Sequence, residues 1–342
     1  MGEGPVKRRY LLLTAAALVA AGIAAPVAIS ASEKKETPAP PEEAWDGRLT
    51  GQGLYVDPNG AAADQVRAWE AAGRTRDAAI MRRIADRPTA TWFADESTGN
   101  AARARQLVTD AGRAGKLPIL TLYHIPNRDC SGHSAGGAAT AVAYRRWVDA
   151  LAAAIRGHRS VVVLEPDAVA QTVRGCLDAK AATERFALLT HAVTVLRANP
   201  GTLVYVDAGN PTWIRKPAQM AAALRRAGIQ RASGFALNVA NFERTADNVR
   251  YGTALSRQLG GTHFVVDTSR NGNGPATVGA GDRHWCNPPG RKLGEAPTTR
   301  TGLTLVDAYL WVKRPGESDG ACSPGAPPAG QWWPEYALTL AS

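Results

Sequence analysis

The chain has 342 residues, 45% of them hydrophobic and 20% charged, with 34 Gly, 22 Pro and four Cys. An apolar fraction of this size excludes a wholly disordered chain, and Gly and Pro without a period exclude collagen. The net charge of +10 raises nucleic acid or another anionic surface as a partner to be tested against the rest of the sequence.

At the N-terminus, Lys7, Arg8 and Arg9 precede an uncharged run of Leu, Ala and Val from Tyr10 to Ile29. A cationic head, an apolar stretch and small residues at Ala28 and Ser30 have the form of a secretory signal over residues 1–30. Arg8-Arg9 followed by Leu11-Leu12 loosely fits a twin-arginine signal. The run is also long enough for an uncleaved membrane anchor, the one route by which this chain would partner a membrane. Its Ala-rich composition and the polar segment after it favour cleavage. Residues 31–47 are charged and Pro-rich and read as a linker. Removing residues 1–30 takes away Lys7, Arg8, Arg9 and Glu3 and leaves +8. An exported chain with four cysteines is expected to form two disulfides. Three connectivities are open, and the simplest joins sequence neighbours, Cys130 to Cys176 and Cys286 to Cys322. No CxxC spacing and no nearby His pattern suggest zinc.

The body alternates two kinds of segment. Near-continuous apolar runs at 91–94, 119–125, 161–166, 203–207, 234–239, 263–267 and 307–313 predict seven strands covered on both faces. Between them, Ala- and Arg-rich stretches at 100–115, 138–157, 178–198, 216–228 and 241–259 have helical periodicity, several ending at Gly (Gly115, Gly157, Gly228). Strand and helix alternating over most of the chain predict an α/β fold with a parallel sheet. Seven repeats suit a closed or nearly closed barrel better than an open doubly wound sheet. No strand is followed by GxGxxG or GxxxxGK[ST], so no nucleotide cofactor is indicated.

In a parallel barrel the C-terminal ends of the strands build the site, and here those ends are acidic. They carry Asp129, Glu165 with Asp167, Asp207, Asp267, and Glu317 with Asp319. Carboxylates crowded into one cleft raise one another's pKa and separate an acid from a base, which serves glycoside hydrolysis. The same groups could hold Mg²⁺ or Mn²⁺ for phosphate chemistry. Tryptophans at Trp213, Trp285 and Trp311 favour sugar, because indole faces stack on pyranose rings. Trp311, inside the last strand, also suits a core position. The cationic excess sits largely on helix surfaces, as at Arg82, Arg83, Arg103, Arg105, Arg145, Arg146, Arg225 and Arg226, so nucleic acid is not expected as a partner.

Eight motifs in order carry a family resemblance: YVDPN at 55–59, NRDC at 127–130, LEPD at 164–167, YVDAG at 205–209, NVANF at 238–242, DTSRNG at 267–272, HWCNPPGRKLG at 284–294 and WVKRPGESDG at 311–320. From about Gly53 to the C-terminus the sequence resembles glycoside hydrolase family 6, the inverting β-1,4-glucanases and cellobiohydrolases. The resemblance implies a catalytic domain over residues 48–342, folded as a distorted TIM-like barrel of about seven parallel strands. It implies Asp167 as general acid and Asp129 as the carboxylate that raises its pKa, with Arg128 as a charge partner. Asp319 is the implied base, directly or through water. It further implies Tyr123 beside the distorted sugar and Asp207 beneath it. Sugar contacts are implied at Asn238, Lys313 and Glu317, with stacking platforms at Trp213 and Trp285. The implied disulfides are Cys130–Cys176 and Cys286–Cys322. No cofactor and no metal are implied. His124 and Asn210 depart from the residues usual at those positions, and His124 is read as a hydrogen-bonding structural residue. The short Cys286–Cys322 segment resembles open-cleft endoglucanases. The expectation is a secreted, monomeric endo-β-1,4-glucanase acting on cellulose or a related β-glucan. A cellobiohydrolase, a metal-dependent phosphoesterase and an inert polysaccharide-binding protein are the rivals.

Overall fold

The computed structural model describes Met1 and residues 47–276 and 284–342. The expected signal and nearly all of the expected linker lie outside the described residues. In chain order the elements are α1 (Ala61–Ala71), α2 (Thr75–Ala85), β1 (Thr91–Phe93), α3 (Asn100–Arg113), β2 (Ile119–Leu122), α4 (Ala141–Ala154), β3 (Ser160–Leu164), α5 (Ala168–Val173), α6 (Ala179–Arg197), β4 (Thr202–Asp207), α7 (Pro217–Arg226), β5 (Gly234–Leu237), α8 (Thr245–Gln258), β6 (Phe264–Asp267), β7 (Val306–Leu310) and α9 (Pro334–Ala341). All seven expected strands and all five named helices are present. Helices α1, α2, α5 and α9 lie outside the five stretches named from the sequence.

The seven strands form one parallel sheet in sequential order β1 to β7. The sheet curls until its edges meet. The Ala90 amide donates to the Trp311 carbonyl at 3.0 Å, and Trp92 Nε1 donates to the Val312 carbonyl at 2.8 Å. These two bonds stand where a closed barrel would have a full ladder, so the barrel is nearly closed and distorted, as expected.

Strand alternation divides the core into two layers. Ile119, Val161, Val163, Leu203, Tyr205, Ala236, Val265, Ala308 and Leu310 fill the barrel interior. Leu120, Leu122, Val162, Leu164, Val204, Val206, Phe235 and Val266 face outward onto helix residues such as Val148, Leu189, Val193 and Leu255. A third cluster joins α1, α2 and α9 through Val66, Trp69, Met81, Ile84, Ala337 and Ala341. Thr140 caps α4 and Asp178 caps α6, each accepting from the amide three residues on, the ordinary role of such residues at a helix start. Gly115 and Gly228, just past α3 and α7, have φ of +63° and +85°, the left-handed geometry that ends helices at Gly.

Strands β1, β2, β3, β5 and β7 end before the sequence expectation, and for β2 and β3 a buried side chain explains it. β2 ends at Leu122, not Ile125, because the amides of His124 and Ile125 donate to the Glu165 carboxylate at 3.0–3.1 Å. β3 ends at Leu164, not Pro166, because Glu165 itself turns to φ +49°. One buried carboxylate thus ends two strands and frees the following residues to shape the cleft.

α8 lies close on the sheet. A Cβ at Gly252 would stand 2.4 Å from Phe264 Cε2 and 2.9 Å from Leu237 Cδ1. The Phe264 ring is fully buried and stacked on Phe235 at 5.1 Å, so it has nowhere to go. In an open helix Gly→Ala stabilises by about 1 kcal/mol. Here the overlap outweighs that gain, and Gly252→Ala is expected to destabilise by about 1–2 kcal/mol. A thermal melt checks the sign: Tm should fall by a few degrees, at about 2–4 °C per kcal/mol. A rise would mean that α8 does not sit this close.

Candidate active site

The C-terminal ends of the strands open into one cleft of about 1370 Å³, larger than an ordinary small-molecule pocket and suited to an extended ligand. β1 supplies Trp92, and the turn after it Asp95, to its lining. β2 and the loop after it supply Tyr123, Arg128 and Asp129, and the turn after β3 supplies Asp167. Trp213 comes from the segment after β4, Trp285 from the loop after β6, and Lys313, Glu317 and Asp319 from the segment after β7. Backbone strain concentrates at the same place. Among the described residues, positive φ outside Gly occurs at Asn127, Asp129, Cys130, Glu165, Asp167, Asn238, Ala240 and Asn287, all in loops at these strand ends. Such conformations cost about 1–3 kcal/mol each and persist where surrounding contacts hold them.

Asp167 is the residue around which the cleft is arranged. It sits at the start of α5 with φ +71°, and its amide donates to Asp207 Oδ1 at 2.9 Å. Its carboxyl accepts from the Tyr123 hydroxyl at 3.2 Å. Burial, then the charges of Asp207 and Asp129, raise its pKa well above the carboxylate range. Tyr123 is raised too, by burial first and then by Asp167 and Asp129, so its hydroxyl keeps the proton it donates. Asp207 is 1% exposed. Burial pushes its pKa up to about 7 against the amides of Asp167 and Gly209, which lower it. Its Oδ2 is buried without a hydrogen-bond partner.

Asp319 stands in the opposite condition. Burial would raise its pKa, but Arg270 and Lys313 outweigh it and hold the carboxyl below the ordinary range. Arg270 Nη1 lies 2.8 Å from Asp319 Oδ2 and Lys313 Nζ 3.6 Å from Oδ1, and the Asn287 amide donates at 3.0 Å. Two carboxyls in one cleft are therefore driven apart, one toward holding a proton and one toward staying ionised. Lys313 itself is lowered by burial, with Asp319 and Glu317 opposing. Asp129 accepts from the Ser134 amide at 2.7 Å and from Gln171 at 3.3 Å. Both expected disulfides are formed, Cys130–Cys176 and Cys286–Cys322.

Several expectations need correction. Arg128 makes no ion pair with Asp129 among the described residues. Its guanidinium donates to the carbonyls of Ala94, Tyr123 and Ser134 and lies over the Tyr123 ring at 4.7 Å, so it braces the loop. Asn238 does not face the cleft. It is fully buried, donating to the carbonyl of Asp267 and accepting from the amide of Glu243. Asp207 also lies beneath the cleft surface, where it supports Asp167. His124 is structural: its buried ring packs on Trp147 at 4.9 Å, its Nε2 lies 3.5 Å from the Glu96 carboxylate, and its amide donates to Glu165. Asn210 caps the turn bearing Trp213, accepting from the Thr212 and Trp213 amides. Trp311 is a core residue, 2% exposed, with its Nε1 donating to the Glu295 carbonyl.

Sequence reasoning passed over Trp92 and Arg270. Trp92 lines the cleft, edge-on to Tyr123 at 5.4 Å; a Trp in an apolar strand reads as core until its neighbours are known. Arg270 is fully buried and lies over the Phe242 ring at 4.4 Å. The signal was a charged residue in a polar run directly after a buried strand.

Comparison with known proteins agrees with this geometry. Endoglucanase 1 of Streptomyces halstedii is 42% identical over 333 residues, covering 94% of this chain and 97% of that protein. Endoglucanase A of Cellulomonas fimi is 44% identical over 292 residues, which is 84% of this chain but 61% of that longer protein. The solved structure of the endoglucanase Cel6 from Mycobacterium tuberculosis, in complex with methyl-cellobiosyl-4-deoxy-4-thio-β-D-cellobioside, superposes with a TM-score of 0.80 at 42% identity, covering 85% of this chain and 97% of that one. The model of the glycosyl hydrolases family 6 matches residues 49–342, and the chain belongs to that family.

Proposed function

We propose that the protein is an endo-β-1,4-glucanase that cleaves internal bonds of cellulose or a related β-glucan in one displacement with inversion. The observation that carries this reading is the seat of Asp167: half-buried, backed by Asp207, hydrogen-bonded by Tyr123, and set in a cleft lined by Trp92, Trp213 and Trp285. A carboxyl that keeps its proton at neutral pH can give it to a glycosidic oxygen as the bond breaks. Asp129 adds the negative charge that keeps that proton in place. Inversion requires a carboxylate to assist water from the opposite face of the sugar. Asp319 is ionised and so able to accept a proton. Its two cations make it a weak base, which favours a chain of water molecules between it and the attacking one.

The sequence distance of 36 residues between Cys286 and Cys322 keeps this wall of the cleft compact. An open cleft admits internal positions of a chain, whereas a cellobiohydrolase needs a chain end. A phosphoesterase would need its carboxylates free for a cation, but the oxygens of Asp319 face Arg270, Lys313 and the Asn287 amide. Residues 1–30, with their signal form, support export.

On carboxymethylcellulose, viscosity should fall much faster than reducing ends accumulate, and NMR should show the α-anomer forming first. Asp167→Asn should lower turnover on unactivated polymer by about 10²–10⁴-fold while binding persists. Slow viscosity loss would favour exo action, and near-normal hydrolysis by Asp167→Asn would remove the acid assignment.

The pH profile gives a second test. The acid works only while protonated, so activity is lost as pH rises through its pKa. Asp129→Asn removes a negative charge that raises that pKa. The alkaline limb of kcat/KM should therefore move to lower pH. A limb that stays put or moves upward would show that Asp129 does not act on Asp167 through charge.

A further inference from the structure

Among the described residues, seven lysines and arginines line the cleft: Arg103, Arg128, Arg174, Arg215, Lys216, Lys313 and Arg314. Four are committed. Arg103 donates to the Trp92 carbonyl, Arg128 to three carbonyls, Lys313 to the Ser318 carbonyl beside Asp319, and Arg314 pairs with Glu317 at 2.5 Å. Arg174, Arg215 and Lys216 are exposed, and their side chains make no ion pair or hydrogen bond among the described residues.

These three lie together around one tryptophan. A Cβ on Gly209 would touch Ala170 Cβ at 3.1 Å and Trp213 Cε3 at 3.3 Å, so Trp213 rests beside the Ala170 turn of α5. Arg174 is one turn further along, its amide donating to the Ala170 carbonyl at 2.9 Å. Arg215 and Lys216 follow Trp213 after one buried residue, Ile214. Glu243, buried, accepts from Thr212 Oγ1 at 2.9 Å, and Asp129 accepts from Gln171 on α5; neither pairs with the three cations.

We propose that the end of the cleft around Trp213 is a cationic subsite for β-glucan chains that carry acidic substituents. The inference rests on the glucanase reading and names a substrate class within it. A neutral glucan offers only hydroxyls to such cations. A carboxylate or phosphate on the chain gives each a charge-assisted hydrogen bond. At an exposed site one such contact is worth from under twofold to about fivefold in affinity, and salt screens it. Trp213 holds the sugar ring, and the three cations select the substituted chain.

The test compares kcat/KM on carboxymethylcellulose and on uncharged hydroxyethylcellulose of matched length, for the full chain and for the Arg174→Gln/Arg215→Gln/Lys216→Gln variant. The ratio of the two should fall about fivefold in the variant, through KM. About 1 M NaCl should bring the unaltered protein to the same low ratio. An Arg174→Lys/Arg215→Lys variant keeps the charge and should keep the ratio. Both polymers cleaved with an unchanged ratio would overturn the subsite and leave the glucanase reading standing. Neither polymer cleaved would overturn both.

Discussion

The proposed chemistry of this cleft depends on a buried carboxylate, Asp207, placed under Asp167. Asp207 ends β4 pointing inward, and its Oδ1 takes the amides of Asp167 and Gly209. Those bonds fix the turn that presents Asp167, but they do not dispel the charge, because the site is shielded from water. Two ionised carboxyls cannot comfortably share such a place. The arrangement favours a proton on the pair, and in the proposed mechanism Asp167, the member on the cleft surface, is the one that delivers it. Asp129, in the loop after β2, reinforces this through its charge, whereas the hydrogen bond donated by Tyr123 favours the ionised form of Asp167 and opposes it. Asp319 completes the scheme, because Arg270 and Lys313 compensate its burial and leave it ionised.

The barrel supplies these positions through simple alternation. Leu203 and Tyr205 point into the interior, and continuing the same parity brings Asp207 inward at the end of β4. The same counting brings Tyr123 inward after Ile119. At the mouth, the interior residues change from Val and Leu to Asp, Asn and Tyr. Polar groups there are affordable because loop amides meet them, as the amides of Ala240, Ser269 and Lys313 meet Asp267. Glu165 does the same for His124 and Ile125, so loop shape and buried charge are settled together.

Much of this was legible in the sequence. Seven apolar runs gave seven strands in order, and the acidic residues after them lie at one mouth. What was not legible depends on the direction of side chains. Arg128 is the neighbour of Asp129 in sequence, yet it reaches back to the Ala94 and Tyr123 carbonyls. Asn238 follows a buried strand and stays buried, which a motif cannot reveal. Strand ends were overestimated where Glu165 competes for backbone amides. Trp92 went unnoticed because a Trp in a short apolar strand looks like core. The net charge was a poor guide to the chemistry of the centre, since the cations there, such as Arg270, are bound up with carboxylates. It was a better guide to the cleft margin, where Arg174, Arg215 and Lys216 have no ion pair or hydrogen bond among the described residues.

The central claim is that Asp167 holds a proton at neutral pH in the resting protein. Difference infrared spectroscopy between the unaltered chain and Asp167→Asn tests it directly. The account predicts that a protonated carboxyl C=O band, present at pH 7, is lost on substitution. A difference spectrum showing instead the loss of an ionised carboxylate at pH 7 would contradict it.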